Sequence, residues 1–412
     1  AYNPKTRVET PNLSRLAREG AVFSFYSVGT ESRSTHTVLW TGLYPRQNGV
    51  YYPSHVMSRR WDTMPELIKR AGLTTAAWIA NGFVSSYLGY AKGWDFYKNH
   101  IHEGGDLSAK SMADRGIRYL DSVKDKRFFL YLGTIDVHVS WRGRQPWLDR
   151  YYPKPYKGPF RRTVWGKDIY RLVESVYRRR PGLEVLKSPL SQVHRDRMIA
   201  VHDSTISYND QQLGRLLDAL QKKGMLDETM VIVSSDHGEE LFEHGRIGHG
   251  HMLYEELVAV PLIVRYPPLF GRGVHVREGT DMTSVLATIL DAIGAPVPDH
   301  LQGASLVPLA QGVGRGYPRP SIAGHYESTH VIRLERFKLW SKKRGGSILY
   351  DLQGKGERRK IEHPLAQRWL TDALSTFLLY QDRWRARWGV PSNHSPELAR
   401  DLESGQIPPI KP

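Results

Sequence analysis

The stretch "MVIVSSDHGEELFEHGRIGHGH", Met230 to His251, decides the fold class of this 412-residue chain. Its opening run, "MVIVS", has the β-branched and apolar residues of a core strand, and it predicts a buried parallel strand. The seventeen residues from Ser235 to His251 then contain four histidines and four carboxylates. Ligands of α/β proteins bind beyond the carboxyl ends of the strands, so this stretch predicts a functional site at one edge of a sheet.

Helices and short apolar strands alternate along the chain on both sides of this stretch. "TPNLSRLAREGAVF" predicts a helix capped by Thr10 or Asn12 and followed by a strand, and "MPELIKRAGLTTAAWIA" repeats that order. Residues 113–136 and 209–238 show the same order again. The alternation predicts an α/β protein whose central sheet is mostly parallel and is sandwiched by helices.

Composition divides the chain into a large domain with an insertion, a smaller domain and a tail. Residues 142–195 are rich in Arg, Tyr and Pro, which predicts a basic insertion over the active site. The large catalytic domain spans 1–305, and antiparallel strands followed by a helix predict a smaller α+β domain over 306–390. The polar, Pro-rich residues 391–412 are interpreted as a tail.

The charge of the chain is strongly positive, because 58 Lys and Arg residues stand against 42 Asp and Glu residues and give a net charge of +16. This excess indicates an anionic partner, or else ordinary solvated surface charge. The basic residues are scattered and no nucleic-acid-binding motif is present, so nucleic acid is disfavoured as the partner. No apolar run approaches the roughly 18 residues of a membrane span.

The absence of cysteine excludes disulfides, thiolate metal sites and a cysteine nucleophile. The first residues, "AYNPKTRVETPNL", lack the pattern of a signal peptide and resemble the start of a mature or trimmed chain. They leave the compartment open, with a lean toward the periplasm or secretion.

Four polar segments follow predicted strands. In "TESRSTHTVLWTGLYP" the hydroxyl of Ser32 is expected to face the N-terminus of a helix that begins near Thr35, where free N–H groups stabilise an anion. The alternative is that this serine only caps the helix. Asp236 and His237, adjacent after the core strand, suit a divalent cation.

The other two segments supply histidines. Asp136 and His138 follow another core strand, and His249 and His251 come thirteen and fifteen residues after Asp236. Each histidine taken alone is also consistent with a buried, hydrogen-bonded residue. A divalent ion, a hydroxyl at a helix N-terminus and surrounding histidines together predict a site that hydrolyses a charged ester.

These motifs resemble the sulfatase family of the alkaline phosphatase superfamily through nearly the whole chain. "SRSTHTVLWTGLYPRQNGV" is similar to the family's nucleophile motif, and "SDHGEELFEHGRIGHGHMLYEELVAVPLIVRYP" is similar to its second metal-binding segment. "TPNLSRLAREGAVF" resembles its first helix and strand, and "YDL" at 350–352 resembles its C-terminal domain. The resemblance implies an alkaline phosphatase-like fold.

The resemblance assigns roles to single residues. It places Ser32 at the nucleophile position and as a metal ligand, with Asp236 and His237 as the other ligands. It implies that His138 lies beside the leaving group, and that His249 lies where many relatives have a lysine that contacts the sulfate or phosphate. The implied cofactor is one divalent ion, with Ca²⁺ as the first choice and Mn²⁺ or Zn²⁺ as alternatives.

The expected substrate-binding residues lie around this centre. His36 is expected to bind the equatorial ester oxygens together with His249, and Asn81 and His251 are expected to line the pocket. The insertion is expected to select the substrate through Arg161 and Arg162. Three tryptophans in the insertion or directly before it are expected to stack on sugar rings, namely Trp141, Trp147 and Trp165. The alternative for the insertion is a solvated lid.

The sequence also departs from the family pattern. Ser34 and His36 replace the Pro and Arg of the nucleophile motif, which disfavours conversion of Ser32 to formylglycine and favours direct attack by its hydroxyl. A serine at this position is also what an inactivated variant would have. The family's first metal-binding strand normally precedes "TPNL". We expect either that this strand lies outside the present chain or that the protein binds its metal weakly.

Three functions follow from this pattern. The first is metal-dependent hydrolysis of sulfate esters on a small anionic substrate or sulfated glycan. The second is a phosphodiesterase, phosphonate monoester hydrolase or phospho-group transferase of the same superfamily. The third is a non-catalytic protein that binds anionic glycans, which the net charge of +16 would also suit.

Overall fold

The computed structural model describes residues 6–165, 191–342 and 346–387. Its α-helices in chain order are α1 (Pro11–Glu19), α2 (Ser32–Thr41), α3 (Pro45–Asn48), α4 (Met64–Arg70), α5 (Ala109–Ser122), α6 (Trp147–Tyr151), α7 (Gln192–Lys222), α8 (Glu255–Val258), α9 (Thr283–Ala292), α10 (Val307–Ala310) and α11 (Pro364–Arg387). Its strands are β1 (Ala21–Tyr26), β2 (Thr74–Ile79), β3 (Phe96–Asn99), β4 (Phe128–Gly133), β5 (Trp141–Arg142), β6 (Thr163–Val164), β7 (Val231–Ser234), β8 (Glu240–Leu241), β9 (Ile247–Gly248), β10 (Ala259–Val260), β11 (Leu262–Arg265), β12 (Val274–Asp281), β13 (Ser321–His325), β14 (Thr329–Leu334), β15 (Phe337–Lys342), β16 (Gly346–Asp351) and β17 (Lys360–Ile361).

Two sheets form the larger part of the fold. In the first sheet β2 lies between β3 and β4, and all three strands are parallel. In the second sheet β1 is parallel to β12 but antiparallel to β10 and β11, and β11 pairs antiparallel with β7. The predicted α/β class is confirmed, with parallel pairing in the first sheet and mixed pairing in the second.

The prediction that "MVIVS" forms a buried parallel strand is wrong in direction and in burial. β7 is half-buried, and Ser234 at its end is exposed. The connection from Ser235 to Pro261 contains the four-residue helix α8 instead of a crossover helix, which parallel neighbours ordinarily need. The chain therefore re-enters the sheet in the opposite direction.

The N-terminus of α1 is satisfied by a distant carboxylate. Thr10 occupies the capping position but makes no side-chain hydrogen bond there. Instead the backbone N–H groups of Asn12 and Leu13 donate to the Asp210 carboxylate at 3.0 and 2.8 Å. A carboxylate stabilises the positive end of a helix, so Asp210 joins α1 to the long helix α7.

The largest hydrophobic core anchors the helix that begins with Ser32. Val38 and Trp40 of α2 are fully buried among residues of α4, α9, β1 and β2. The indole N–H of Trp40 donates to the carbonyl of Tyr90 at 3.2 Å. Helix α2 is thus fixed along its length, while its first turn lies at the edge of the sheets.

The described part of the predicted insertion is a packed unit. Trp141, Leu148, Phe160 and Val164 form a core with Met198 of α7. Trp141 is 0% exposed and its indole donates to the carbonyl of Val137, so the expectation that it stacks on a sugar is wrong.

Other predictions about the insertion have mixed outcomes. Trp147 is partly buried beside Tyr208, and Trp165 is 54% exposed. Helix α7 begins at Gln192, inside the predicted insertion, and Ser191 caps it. Residues 166–190 of the insertion lie outside the described residues.

A separate antiparallel sheet follows, with the strand order β13-β14-β15-β16-β17 and α11 packed on one face. The predicted C-terminal α+β domain is therefore present. Leu306 to Ala310 pack in the larger core, and the C-terminal sheet begins at Ser321. The predicted division at residue 305 stays a prediction, and the predicted tail 391–412 lies outside the described residues. Within the described ranges, none of the helices combines the length and apolarity that a membrane span requires.

Candidate active site

Ser32 is the first residue of α2, three positions earlier than the predicted start near Thr35. Glu31 is the capping residue, and the hydroxyls of Ser34 and Thr35 donate to its carbonyl at 3.2 and 3.1 Å. The Ser32 hydroxyl lies 3.1 Å from His237 Nε2 instead of capping the helix. The first N–H groups of a helix have no intrahelical partner, so negative charge on the Ser32 oxygen is favoured at this place.

In its neutral form His237 presents a lone pair to Ser32. Its Nδ1 lies 2.9 Å from the carbonyl oxygen of Gly238, which can only accept a hydrogen bond. Nδ1 therefore carries the proton, and Nε2 has a free lone pair. That lone pair can accept the hydroxyl hydrogen of Ser32 or bind a cation.

Asp236 contributes a carboxylate oxygen to the same place. Its Oδ2 atom lies 3.5 Å from His237 Nε2 and 3.4 Å from His36 Nδ1. Oδ2 is buried and has no hydrogen-bond partner of ordinary geometry among the described residues. Burial by itself would raise the pKa of Asp236, whereas positive charge on His237 and His36, in molecules where those rings are protonated, lowers it together with the Ser32 hydroxyl.

His36 links the backbone of Ser32 to Tyr131. Its Nδ1 donates to the carbonyl of Ser32 at 2.8 Å, and its Nε2 accepts from the Tyr131 hydroxyl at 3.1 Å. Burial lowers the pKa of His36, which keeps the ring neutral. Both ring nitrogens are engaged within the protein, so the geometry gives His36 a positioning role and not the expected contact with ester oxygens.

The imidazole rings of His237, His249 and His138 lie next to one another at this site. His249 lies 4.1 Å from His237 and 4.7 Å from His138 between ring centroids. His249 Nδ1 donates to Glu239 Oε1 at 2.8 Å, and this carboxylate raises the pKa of His249 although burial would lower it. For His138, burial and then the neighbouring His249 lower the pKa. His249 is therefore the cationic ring of the pair near neutral pH.

The residues at the centre fit a divalent cation. They offer a buried carboxylate oxygen without a hydrogen bond on Asp236, an unprotonated nitrogen on His237 and the hydroxyl of Ser32. A mixed set of carboxylate, imidazole and hydroxyl donors suits hard or borderline divalent ions. A second group, Glu240, His244 and Glu256, also has metal-ligand geometry and does not include Ser32.

Three predicted residues make hydrogen bonds outside this centre, and the pocket-lining roles predicted for Asn81 and His251 stay predictions. Asp136 accepts from the backbone N–H of Ala109 at 2.6 Å and pairs with Arg144, so it closes the start of α5 instead of joining the histidines. Asn81 uses its side-chain oxygen on the backbone N–H of Phe83. The two ring nitrogens of His251 face the carbonyl of His249 and the carboxylate of Glu240.

Arg161 and Arg162 lie in the exposed loop before β6. Their carbonyls accept hydrogen bonds from Arg197 and from the backbone N–H of Gly143. Within the described ranges no contact joins either guanidinium to the Ser32 centre, so their role in substrate binding stays a prediction.

The structure adds residues that the sequence analysis missed. Glu239 orients His249 and also accepts from the backbone N–H of Val139 at 3.3 Å. Glu31 lies against Gly250, whose φ of 77° and lack of a Cβ allow this close approach. The Tyr326 hydroxyl of the C-terminal domain donates to Glu31 at 3.2 Å. Glu239 was signalled by its place in "SDHGEEL", whereas nothing in the local sequence indicates Tyr326.

Comparison with known proteins gives consistent matches. A family model described as Sulfatase matches residues 1–295, and one described as N-sulphoglucosamine sulphohydrolase, C-terminal, matches residues 243–359. The N-acetylglucosamine-6-O-sulfatase of Bacteroides thetaiotaomicron is 26% identical over 81% of this chain and 74% of that protein.

Two solved structures have the same fold. One, determined in complex with its substrate D-glucosamine-2-N,6-O-disulfate, has a TM-score of 0.75 and 22% identity over 94% of this chain and 95% of that chain. The phosphonate monoester hydrolase from Silicibacter pomeroyi has a TM-score of 0.73 and 19% identity over 91% of each chain. At these identities the likeness concerns the fold alone.

Proposed function

The chain belongs to the sulfatase family, and on that premise we propose that it hydrolyses sulfate esters of saccharides with Ser32 as the nucleophile. The observation that carries this proposal is the distance of 3.1 Å between the Ser32 hydroxyl and His237 Nε2, with the Asp236 carboxylate 3.5 Å from that nitrogen. A saccharide substrate is supported by the similarity to an N-acetylglucosamine-6-O-sulfatase and by the net charge of +16.

Sulfatases are metal-dependent, and Asp236, His237 and Ser32 are the residues that would hold the ion here. When bound, a divalent ion supplies positive charge that lowers the pKa of the hydroxyl and neutralises charge on the ester. Ca²⁺ is the proposed ion because carboxylate and hydroxyl oxygens supply two of the three donors, and Mn²⁺ or Zn²⁺ would suit the imidazole.

The protein residues divide the chemistry among themselves. The Ser32 hydroxyl loses its hydrogen to solvent and its oxygen attacks sulfur, while the bond from sulfur to the alcohol oxygen breaks. His138 in its protonated form gives that oxygen a proton, and because burial and His249 lower the pKa of His138, only a minority of molecules carry this proton near neutral pH. His249, cationic because of Glu239, binds the non-bridging oxygens of the sulfate. Water then releases sulfate from Ser32. The plain hydroxyl serves as nucleophile, because Ser34 and His36 replace the residues that accompany formylglycine formation.

The proposal is tested by matched aryl substrates. The wild-type protein and Ser32→Ala are assayed with an aryl sulfate and with the corresponding aryl phosphate diester, before and after treatment with a chelator. We expect turnover of the sulfate that is lost at least 1,000-fold in Ser32→Ala and is restored to chelated wild-type protein by added metal. Peptide mass spectrometry around Ser32 should find plain serine.

A second candidate function is hydrolysis of phosphate diesters or phosphonate monoesters, which the unmodified serine hydroxyl favours. A preference for the phosphate diester of more than tenfold in kcat/KM would replace the sulfatase proposal with this one. Absence of turnover for both substrates, with no metal bound at stoichiometric amounts, would instead indicate a protein that binds anionic glycans without catalysis.

A further inference from the structure

Arg33, the residue after Ser32, is a buried cation that has no carboxylate in ion-pair contact among the described residues, although Glu31 acts on it at longer range. Its long side chain is fully buried, and the residue is 1% exposed. The structure gives its guanidinium one hydrogen bond, from Nη1 to the carbonyl of His55 at 2.9 Å. Nε is buried without a partner, and within the described ranges no carboxylate lies within ion-pair distance of the guanidinium. Burial lowers the pKa of Arg33 accordingly.

The other two arginines that are buried among the described residues have more partners than Arg33. Arg197 has no carboxylate in ion-pair contact, but it donates to the carbonyls of Phe160 and Arg161 and lies against two tyrosine rings. Arg265, which is 4% exposed, pairs with Glu19 at 2.8 Å and with Asp227, and it also donates to the carbonyl of Leu226. Leaving a charge buried and unpaired costs several kcal/mol, whereas a paired charge recovers most of that cost. An uncompensated guanidinium therefore needs a reason other than stability.

The surroundings of Arg33 belong to the edge of the sheet that carries the active site. Phe83 lies over the guanidinium at 5.5 Å from its ring centroid, and it belongs to the loop that follows β2. β2 is parallel to β4, whose carboxyl end leads to His138. The Phe83 ring is 41% exposed, so it covers the guanidinium on a side that reaches solvent.

We propose that Arg33 forms a subsite for a second anionic group, a sulfate or carboxylate, on the same saccharide whose sulfate ester reaches Ser32. This inference rests on the proposed function. The exposed ring of Phe83 turns aside when the group enters, and the planar guanidinium then contacts two of its oxygens, as arginine does with oxyanions. The protein thus prefers saccharides with two anionic groups over those with one.

The test measures binding in a Ser32→Ala background, which prevents turnover. Isothermal titration compares a disulfated monosaccharide with its monosulfated counterpart, and the readout is the ratio of the two dissociation constants. We expect a preference for the disulfated sugar that falls at least tenfold in Arg33→Met. The melting temperature should stay the same or rise in that variant, because a lone buried charge has been removed. An unchanged ratio of the two dissociation constants overturns the proposal, whatever the melting temperature does.

Arg265→Met is the matched control, since it removes a buried arginine that is paired. Its melting temperature should fall while the ratio stays at the wild-type value. Arg33→Lys keeps the charge but loses the two-point contact, so it should lower the ratio less than Arg33→Met does. Should the Met variant fail to fold, an unchanged ratio in Arg33→Lys overturns the proposal. Turnover of the aryl monosulfate by the wild-type protein tests the proposed function separately, because that substrate has one anionic group.

Discussion

At the scale of single residues, the site depends on which ring nitrogens carry protons. The carbonyl of Gly238 fixes the tautomer of His237, and the carbonyl of Ser32 fixes that of His36. In each neutral ring the carbonyl therefore leaves the lone pair on Nε2, which faces Ser32 in His237 and the Tyr131 hydroxyl in His36. The histidine next to a carboxylate, His249, is the one that can hold a positive charge near neutral pH.

Glu239→Gln should weaken catalysis in a pH-dependent way. The substitution keeps the shape of the side chain but removes the charge that raises the pKa of His249. We expect kcat/KM for an aryl sulfate at pH 7.5 to fall roughly 10- to 100-fold. The pKa of His249 drops in the variant, so activity should recover partly as the pH is lowered toward 6. An equal loss at all pH values would mean that Glu239 acts through shape alone.

The residue roles were predictable only in part. Ser32, Asp236, His237, His138 and His249 were all predicted from motifs and strand ends, and the structure brings them together. The orientation of each ring was not predictable, because it depends on carbonyls and carboxylates that only folding brings into contact.

At the scale of elements, the insertion shows how composition misleads. An Arg-, Tyr- and Pro-rich segment predicts a loop, yet its apolar residues at Leu148, Phe160 and Val164 find a partner in α7. The 31-residue α7 begins inside the predicted insertion, since tertiary packing outweighs the weak local preferences there.

Trp141→Ala should therefore destabilise the protein without acting on a sugar. Deleting a fully buried tryptophan ordinarily costs about 3–5 kcal/mol, which urea unfolding would measure. Trp165→Ala, at a side chain that is 54% exposed, is the control and should change stability by less than about 0.5 kcal/mol. A similar stability in both variants would contradict the packed core of the insertion.

The turn between β8 and β9 should make stability depend on pH through His244. Burial would lower the pKa of His244, but the hydrogen bond and charge of Glu256 raise it. A raised folded-state pKa stabilises the protein fully below the unfolded value of 6.5, and this contribution is lost as the pH rises through the folded-state value.

The measurement is the difference in melting temperature between wild type and His244→Gln. We expect this difference to be larger at pH 6 than at pH 8.5 by about 1–2 °C. His275→Gln, at an exposed histidine, should show a difference that does not change with pH. A pH-independent difference for His244→Gln as well would argue against the ion pair with Glu256.

At the scale of the whole molecule, the net charge of +16 should attract anionic polymers. We expect kcat/KM for a sulfated polysaccharide to fall at least fivefold between 0.05 and 0.3 M salt, because screening shortens the Debye length below about 10 Å. An aryl monosulfate, which has one charge, should change by less than twofold. Equal salt dependence for both substrates would show that the surface charge plays no part in substrate capture.

The sequence by itself determined the α/β class, the C-terminal antiparallel strands and the polar residues that stand at strand ends. Each of these is encoded in a short window by periodicity, turn residues or a motif, which does not require knowledge of distant contacts. The strand direction of β7 was not encoded in this way, because it depends on the path of the whole connection to β11.

Only the tertiary structure decided which of those polar residues form the site. Asp136 accepts a hydrogen bond from the first residue of α5, and Trp141 packs in a hydrophobic core. Glu239 accepts a hydrogen bond from His249 and so orients its ring. These outcomes depend on pairs such as Val139 and Glu239, which are separated by 100 residues in the chain. Buried polar groups find their hydrogen-bond and ion-pair partners among residues that are distant in the chain. These partners therefore cannot be found from the local sequence.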